Sequence, residues 1–309
     1  MGSQAVNSGP IPGLQQALTI KDFELARDIY NALPKDDTLL EVQQKDGEHL
    51  PQLRLLFQKF GVQQLFGLHR PHRHSDILDG FQMAGRTVIH NKHPYYWTKV
   101  VDDALKPSKV CGLKYIYHPE HGLCPYEFHE GDLPDISKVD PEFFLAVNNY
   151  LVKHDLTSTF GLLYLAPGLL ERSKLEFVLS NGEMLLAQMA SSLAQAVLSS
   201  IDNGATVATC WSWLNPMCTS EIRCLIFEDG KHRKVNIKPQ DVHRSIDDAI
   251  RVVQEEYLDG LKIPLPGKSF KAGTASGFRN SVKGGHECCP IPGFVNAADG
   301  RTSPDFLNK

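Results

Sequence analysis

"KLEFVLSNGEMLLAQM", residues 174–189, carries the clearest local signal in the chain. Two apolar runs flank Asn181-Gly182, the dipeptide favoured in two-residue type I′ turns, so the stretch predicts an antiparallel hairpin. The same texture extends upstream. "RTVIH", "YYWTKVV", "LKYIYH" and "CPYEFH" are short, β-branched or aromatic, and separated by Gly, Pro, Asn or Asp, as strands are. "STFGLLYLAPG" predicts a buried strand ending in a turn. "GATVATCWSW" and "SEIRCLIFEDGKHRKVNI" continue the pattern downstream, the second with a turn at Asp229-Gly230.

Helical patterns are fewer. "KDFELARDIYNALP" stops near Pro34. "LPQLRLLFQKF" sets Leu53, Leu56, Phe57 and Phe60 on one face. Asp140-Pro141 opens a third helix, with Phe144, Val147 and Leu151 at helical spacing. A last helix is expected at 241–258, its stripe formed by Val242, Ile246, Ala249, Ile250, Val253 and Tyr257. Hairpin-joined strands with few helices, and no βαβ alternation, predict an α+β fold with largely antiparallel sheet and a few packing helices. Residues 1–13 read as a flexible tail. Residues 14–260 read as one domain, helical over 14–61 and β-rich over 62–260. Residues 261–309 lose periodicity and read as irregular or partly disordered.

The chain has 309 residues, 42% hydrophobic and 22% charged, with net charge −4. That balance disfavours a broad basic nucleic-acid surface. No window approaches the roughly 18 apolar residues of a membrane span. The N-terminus shows no secretory signal, and Val6 departs from a myristoylation signal. Seven scattered cysteines fit a reducing compartment. A soluble cytoplasmic protein is expected, of undefined oligomeric state, with a small-molecule substrate and neither nucleic acid nor membrane as partner.

Several motifs fail on inspection. "PGKSF" lacks the earlier glycine of a phosphate-binding loop, because Lys262 stands there. No G-x-S-x-G or C-x-x-C occurs. Cys210 and Cys224 sit in apolar runs and read as small core residues. Cys288-Cys289 beside His286 reads as exposed thiols. His243 and His154 read as a solvated helix face and a helix C-terminus.

The chemically dense stretch is "GLHRPHRHSDILDG", residues 67–80, with His69, His72 and His74 among Arg70, Arg73, Asp76 and Asp79. In an extended backbone, positions i and i+2 point the same way, so His72 and His74 can share one ion. Two His plus a carboxylate suit iron, and a third His suits zinc. His74-x-Asp76 also matches half of the facial triad of oxoglutarate-dependent oxygenases. Asp79 is the further carboxylate. The remaining donor is sought at Glu127 and His129 first, then His118 and His121, then His90 and His93. Arg70 and Arg73 add positive charge, and equally suit a carboxylate or phosphate. A divalent metal site, an anion site and a basic hydrated loop all remain open readings.

Residues 67–85, "GLHRPHRHSDILDGFQMAG", resemble the first cupin motif, with Asp79 where glutamate is usual. That resemblance implies a small β-barrel metal site lined by His72, His74, Asp79 and a later His. The order "LHRPHRH", "CPYEF", "LTSTFGLLYL", "TCWSW" resembles a group of uncharacterised fungal proteins with an L-x-H-R-H-F segment. Ser75 replaces the aromatic residue here. This likeness implies the fold and a fungal-type origin only; a role in fungal secondary metabolism is expected beside it, as part of the expected function.

The function expected first is a small-molecule enzyme with a mononuclear iron or zinc site at His72, His74 and Asp79, Glu127 and His129 serving catalysis, and Arg70, Arg73 and Trp97 binding substrate. The alternatives are a metal-free isomerase or cyclase walled by Tyr95, Tyr96, Trp97, Trp211 and Trp213, and a non-catalytic scaffold using its C-terminal segment as a partner-binding arm.

Overall fold

The computed structural model describes residues 9–35, 47–102, 105–200, 205–215, 218–226, 232–237 and 245–259. Its strands are β1 (Phe66–His69), β2 (Gln82–His90), β3 (His93–Val101), β4 (Val110–His118), β5 (Gly122–Glu130) and β6 (Gly161–Tyr164), then β7 (Lys174–Leu179), β8 (Met184–Gln188), β9 (Ala205–Ser212), β10 (Ser220–Ile226) and β11 (Lys234–Val235). The helices are α1 (Ile20–Ala32), α2 (Leu50–Lys59), α3 (Glu142–Lys153), α4 (Ser192–Ser200) and α5 (Ile246–Gln254).

The strands run in the order β10-β9-β1-β6-β4-β5-β2-β3-β8-β7, and β7 pairs again with β10. The sheet therefore closes into a ten-stranded mixed barrel, with β11 alongside the far end of β7. This corrects the expected helix-packed α+β fold. Alternation within each segment marks strands, but it does not say whether the outermost strands meet. Two parallel seams lie between strands distant in sequence, β2–β5 and β7–β10. The second closes the ring, through Lys174↔Ile222, Leu175↔Arg223 and Glu176↔Cys224. Closure removes the exposed edges that an open sheet would present.

β7 is polar inside and apolar outside. Glu176 faces the interior with Tyr96, Thr98 and Leu186. Leu175, Phe177 and Leu179 face outward, packed with Trp97 and Leu185 against Leu193 and Val197 of α4 and Ala249, Ile250 and Val253 of α5. Each such apolar side chain contributes about 1.5–3 kcal/mol when buried, so this outer layer is a core in its own right. α5 is capped by Ser245, whose Oγ accepts from the Asp248 amide. Its buried residues include Ala249, Ile250 and Val253, while Val242 and His243 lie outside the described residues. α1 is closed by a capping box between Thr19 and Asp22 and packs on β5, with Phe23 and Phe128 ring centroids 4.8 Å apart. Asp140 Oδ1 accepts from the Glu142 amide at the start of α3. Phe143 of that helix meets Phe57 of α2 and Phe66 of β1.

Two turns differ from expectation. At Asn181-Gly182 only the glycine has positive φ, 88°. The Gly182 amide donates to Leu179 O at 2.9 Å and the Leu179 amide to Glu183 O at 2.8 Å. This is the three-residue hairpin with a left-handed glycine, rather than the two-residue type I′ turn. The type I′ pattern occurs instead between β2 and β3, where Asn91 and Lys92 both have positive φ (47° and 67°) and His90 pairs with His93. Part of the expected N-terminal tail is also built in. Ile11 is buried, and Gly13 O accepts from the Gly112 amide at 3.0 Å. Residues 261–309 and the Asp229-Gly230 turn lie outside the described residues. No helix of the described residues is long and apolar enough to cross a membrane.

Candidate functional site

The chain leaves β1 at His69 and stays pinned. The Arg70 amide donates to Thr209 O at 2.8 Å, the Arg73 amide to Pro34 O at 3.0 Å, and Arg73 Nε to Leu33 O at 2.9 Å. The His74 amide donates to Tyr30 Oη at 3.4 Å, and Lys234 Nζ donates to His74 O. Residues 70–74 are therefore fixed between the end of α1 and the β9 and β11 strands. Only Arg73 makes a ladder bridge, to Lys35. The segment is no regular strand, yet the i, i+2 relation holds: the His72 and His74 ring centroids are 4.7 Å apart.

A third imidazole completes the group. His232, bridged to Ile226 beyond the end of β10, lies 5.3 Å from His72 and 5.0 Å from His74 by ring centroids. All three are buried. One nitrogen from each lies within 4.8 Å of the others, and His72, Glu176 and Cys224 form a second such set. These buried groups can hold a metal ion. A tetrahedral zinc site with bonds of about 2.0–2.1 Å needs donors roughly 3.4 Å apart, which lies inside the 4.8 Å within which these donors are gathered.

His72 fixes the chemistry. Its Nδ1 donates to Arg70 O at 2.8 Å, since a carbonyl only accepts. The lone pair is then on Nε2, which is buried and makes no hydrogen bond. Metal-bound histidines are usually oriented in this way, by a hydrogen bond from the other nitrogen. Burial, then His74 and His232 nearby, hold the His72 pKa well below its ordinary value, so the ring is neutral.

Glu176 is the carboxylate of the group. Burial by itself would raise its pKa, but the His74 hydrogen bond and pair at 3.6 Å, with Lys114, outweigh it and hold the carboxyl well below the usual range. Cys224 donates its S–H to Glu176 Oε2. Burial and then this carboxylate push the thiol well up. Cys224 and Glu176 are register partners in the β7–β10 seam, so barrel closure itself assembles this half of the site.

The adjoining interior holds a cavity with room for about one water molecule. Tyr96, Thr98, Lys114, Glu127, Glu176 and Cys210 contribute to its lining. Lys114 Nζ pairs with Glu127 at 3.0 Å. Burial opposes the Lys114 charge, but Glu127, Cys210 and Glu176 outweigh it and keep the amine charged.

The other expected residues fall elsewhere. Asp79 is 98% exposed in its side chain and 3.4 Å from Arg27, so it does not join His72 and His74. Asp76 pairs with Arg73 at the surface. Arg70 is buried, its guanidinium 5.9 Å from the Trp211 ring. Trp97 belongs to the outer layer, donating to Glu183 at 3.2 Å and covered by Lys99. Glu127 is held by Lys114, and His129 accepts or donates at Tyr96 Oη, 3.0 Å away. His118 and His121 stack on each other at the β4–β5 hairpin. His90 pairs with Asp247 at 2.5 Å, and His93 lies in the turn opposite it. Tyr96 lines the interior, whereas Trp211 and Trp213 pack in the main core.

Sequence reading missed His232, Glu176 and Cys224. A carboxylate in the apolar run "KLEFVL" was the one local signal. His232 and Cys224 gave none, because their relation to His72 is set by pairings across the barrel.

Comparison with known protein families, curated proteins and solved structures finds no match to this chain.

Proposed function

We propose that this chain is a metal-dependent enzyme acting on a small molecule, with one divalent transition ion, zinc or iron, held among His72, His74 and His232. The observation that carries this reading is His72 Nε2, a buried lone pair without a hydrogen bond, on a ring that neighbours two further buried imidazoles. Leaving such a nitrogen dry and unpaired costs about 1–3 kcal/mol, which a ligand ion would offset. Imidazole donors suit zinc and iron. Catalysis, rather than a purely structural ion, is supported by a water-sized cavity beside Glu176, whose carboxylate is 3.6 Å from His74 although the histidines themselves do not line it, since catalytic sites keep a position open for water or substrate. The ion would supply a Lewis acid. Glu176, ionised and 3.6 Å from His74, would bring negative charge to the ion, and the Lys114–Glu127 pair would keep the neighbouring wall polar.

The test is elemental analysis and metal titration of the full chain. About one zinc or iron per chain is expected. His72→Ala and His232→Ala should each weaken binding at least roughly tenfold, while Asp79→Ala leaves it unchanged. Absence of bound zinc or iron after reconstitution, with a control metalloprotein loaded in parallel, refutes the reading.

A further inference from the structure

Imidazole ligands bring no negative charge to a buried dication, and an uncompensated charge in a dry interior is costly. Lys114 adds a positive charge to the same interior, close enough to Glu176 to act on it. The compensation stands across the β7–β10 seam. Glu176 supplies one carboxylate charge, and Cys224 supplies a second if its proton leaves, as it does on coordination. The donors of His72, Glu176 and Cys224 lie within 4.8 Å of one another, and His72 belongs both to this set and to the three-histidine set.

We propose that Cys224 is a metal ligand: the ion binds at His72 Nε2 together with the Glu176 carboxylate and the Cys224 sulfur, with His74 and His232 beside it and a position left for water. This rests on the metal reading above and sharpens it. On binding, the S–H bond to hydrogen is replaced by a bond from sulfur to the ion, the proton passes to solvent, and no electron is transferred. Two negative donors neutralise the dication. A soft sulfur in the shell selects zinc, and cobalt as its spectroscopic substitute, over iron, magnesium and calcium.

The experiment is cobalt(II) titration of the full chain with Cys218, Cys288 and Cys289 replaced by Ser, so that every remaining thiol is buried or at the site. One cobalt per chain is expected, with a sulfur-to-cobalt charge-transfer band in the near ultraviolet. Cys224→Ser should abolish the band and weaken binding at least roughly tenfold. Glu176→Gln should weaken binding while keeping the band. Stoichiometric cobalt without a sulfur band, or a band that survives Cys224→Ser, overturns the proposal and leaves the imidazole site standing. Failure to bind cobalt, zinc or iron overturns both. Should Cys224→Ser not fold, Cys210→Ser decides the matter: a band that persists there belongs to Cys224, and a band lost there overturns the proposal.

Discussion

His69 and His72 lie three residues apart, both buried, and they are held in opposite ways. His69 sits in the barrel wall with each ring nitrogen in use. Nε2 donates to Tyr115 O at 2.9 Å, and Nδ1 accepts from Tyr126 Oη at 3.0 Å. Space for that ring exists because position 161 is glycine, where a Cβ would come within 2.3 Å of His69 Nε2. His72 lies beyond the strand and uses one nitrogen only. The Lys114–Glu127 pair is answered locally by charge, 3.0 Å apart, although Glu127 Oε2 makes no hydrogen bond of its own. A buried polar group with every valence met serves the fold. One with a lone pair left open, among other donors, points to a ligand.

The largest effect is expected where a locally answered pair is broken. Glu127→Leu strands the buried Lys114 charge and should cost about 3–5 kcal/mol in chemical denaturation. Lys114→Met with Glu127→Leu should recover most of that. A double variant as unstable as the single one would show that the pair does more than neutralise itself.

Next comes the histidine contrast. His69→Leu leaves Tyr126 Oη and Tyr115 O without their partner and should cost about 2–4 kcal/mol. His72→Phe should change metal-free stability by about 1 kcal/mol or less, while removing metal binding. Equal costs for the two would erase the distinction drawn between them.

The smallest effect per step is a pH slope. Burial, then Lys114, lower the His69 pKa to about 3, against about 6.5 in the unfolded chain. The folded state binds this proton less readily. Stability is therefore full above about pH 6.5 and falls as pH drops toward 3, by about 1.4 kcal/mol per unit for this ring. His72, shifted in the same direction, adds to the loss. Urea midpoints between pH 7 and pH 4 measure it. His69→Leu should flatten the slope, and an unchanged slope would assign the acid sensitivity to other groups.

The same contrast marks how far sequence reading reached. Leu53 and Phe57 on α2, and the buried stripe of α5, were legible because an amphipathic face repeats within a few residues. His72 and His74 were legible as neighbours because i and i+2 are close in any extended backbone. Asp79 was misplaced because sequence nearness says nothing about which way the chain turns after His74. Trp97 was misplaced because alternation alone does not tell the inside of a barrel from its helix-covered outside.

The sequence by itself determined most of the strands, the faces of α2, α3 and α5 and the pairing of two imidazoles, though not α4 or β1. What it determined depends on dihedral preferences and side-chain periodicity over a few residues. Only the tertiary structure decided that the sheet closes, that β7 turns Glu176 inward, and that Cys224 and His232 meet His72. Those outcomes depend on which distant strands pair and in what register. That choice is made by burial summed over the whole molecule, and no single segment records it.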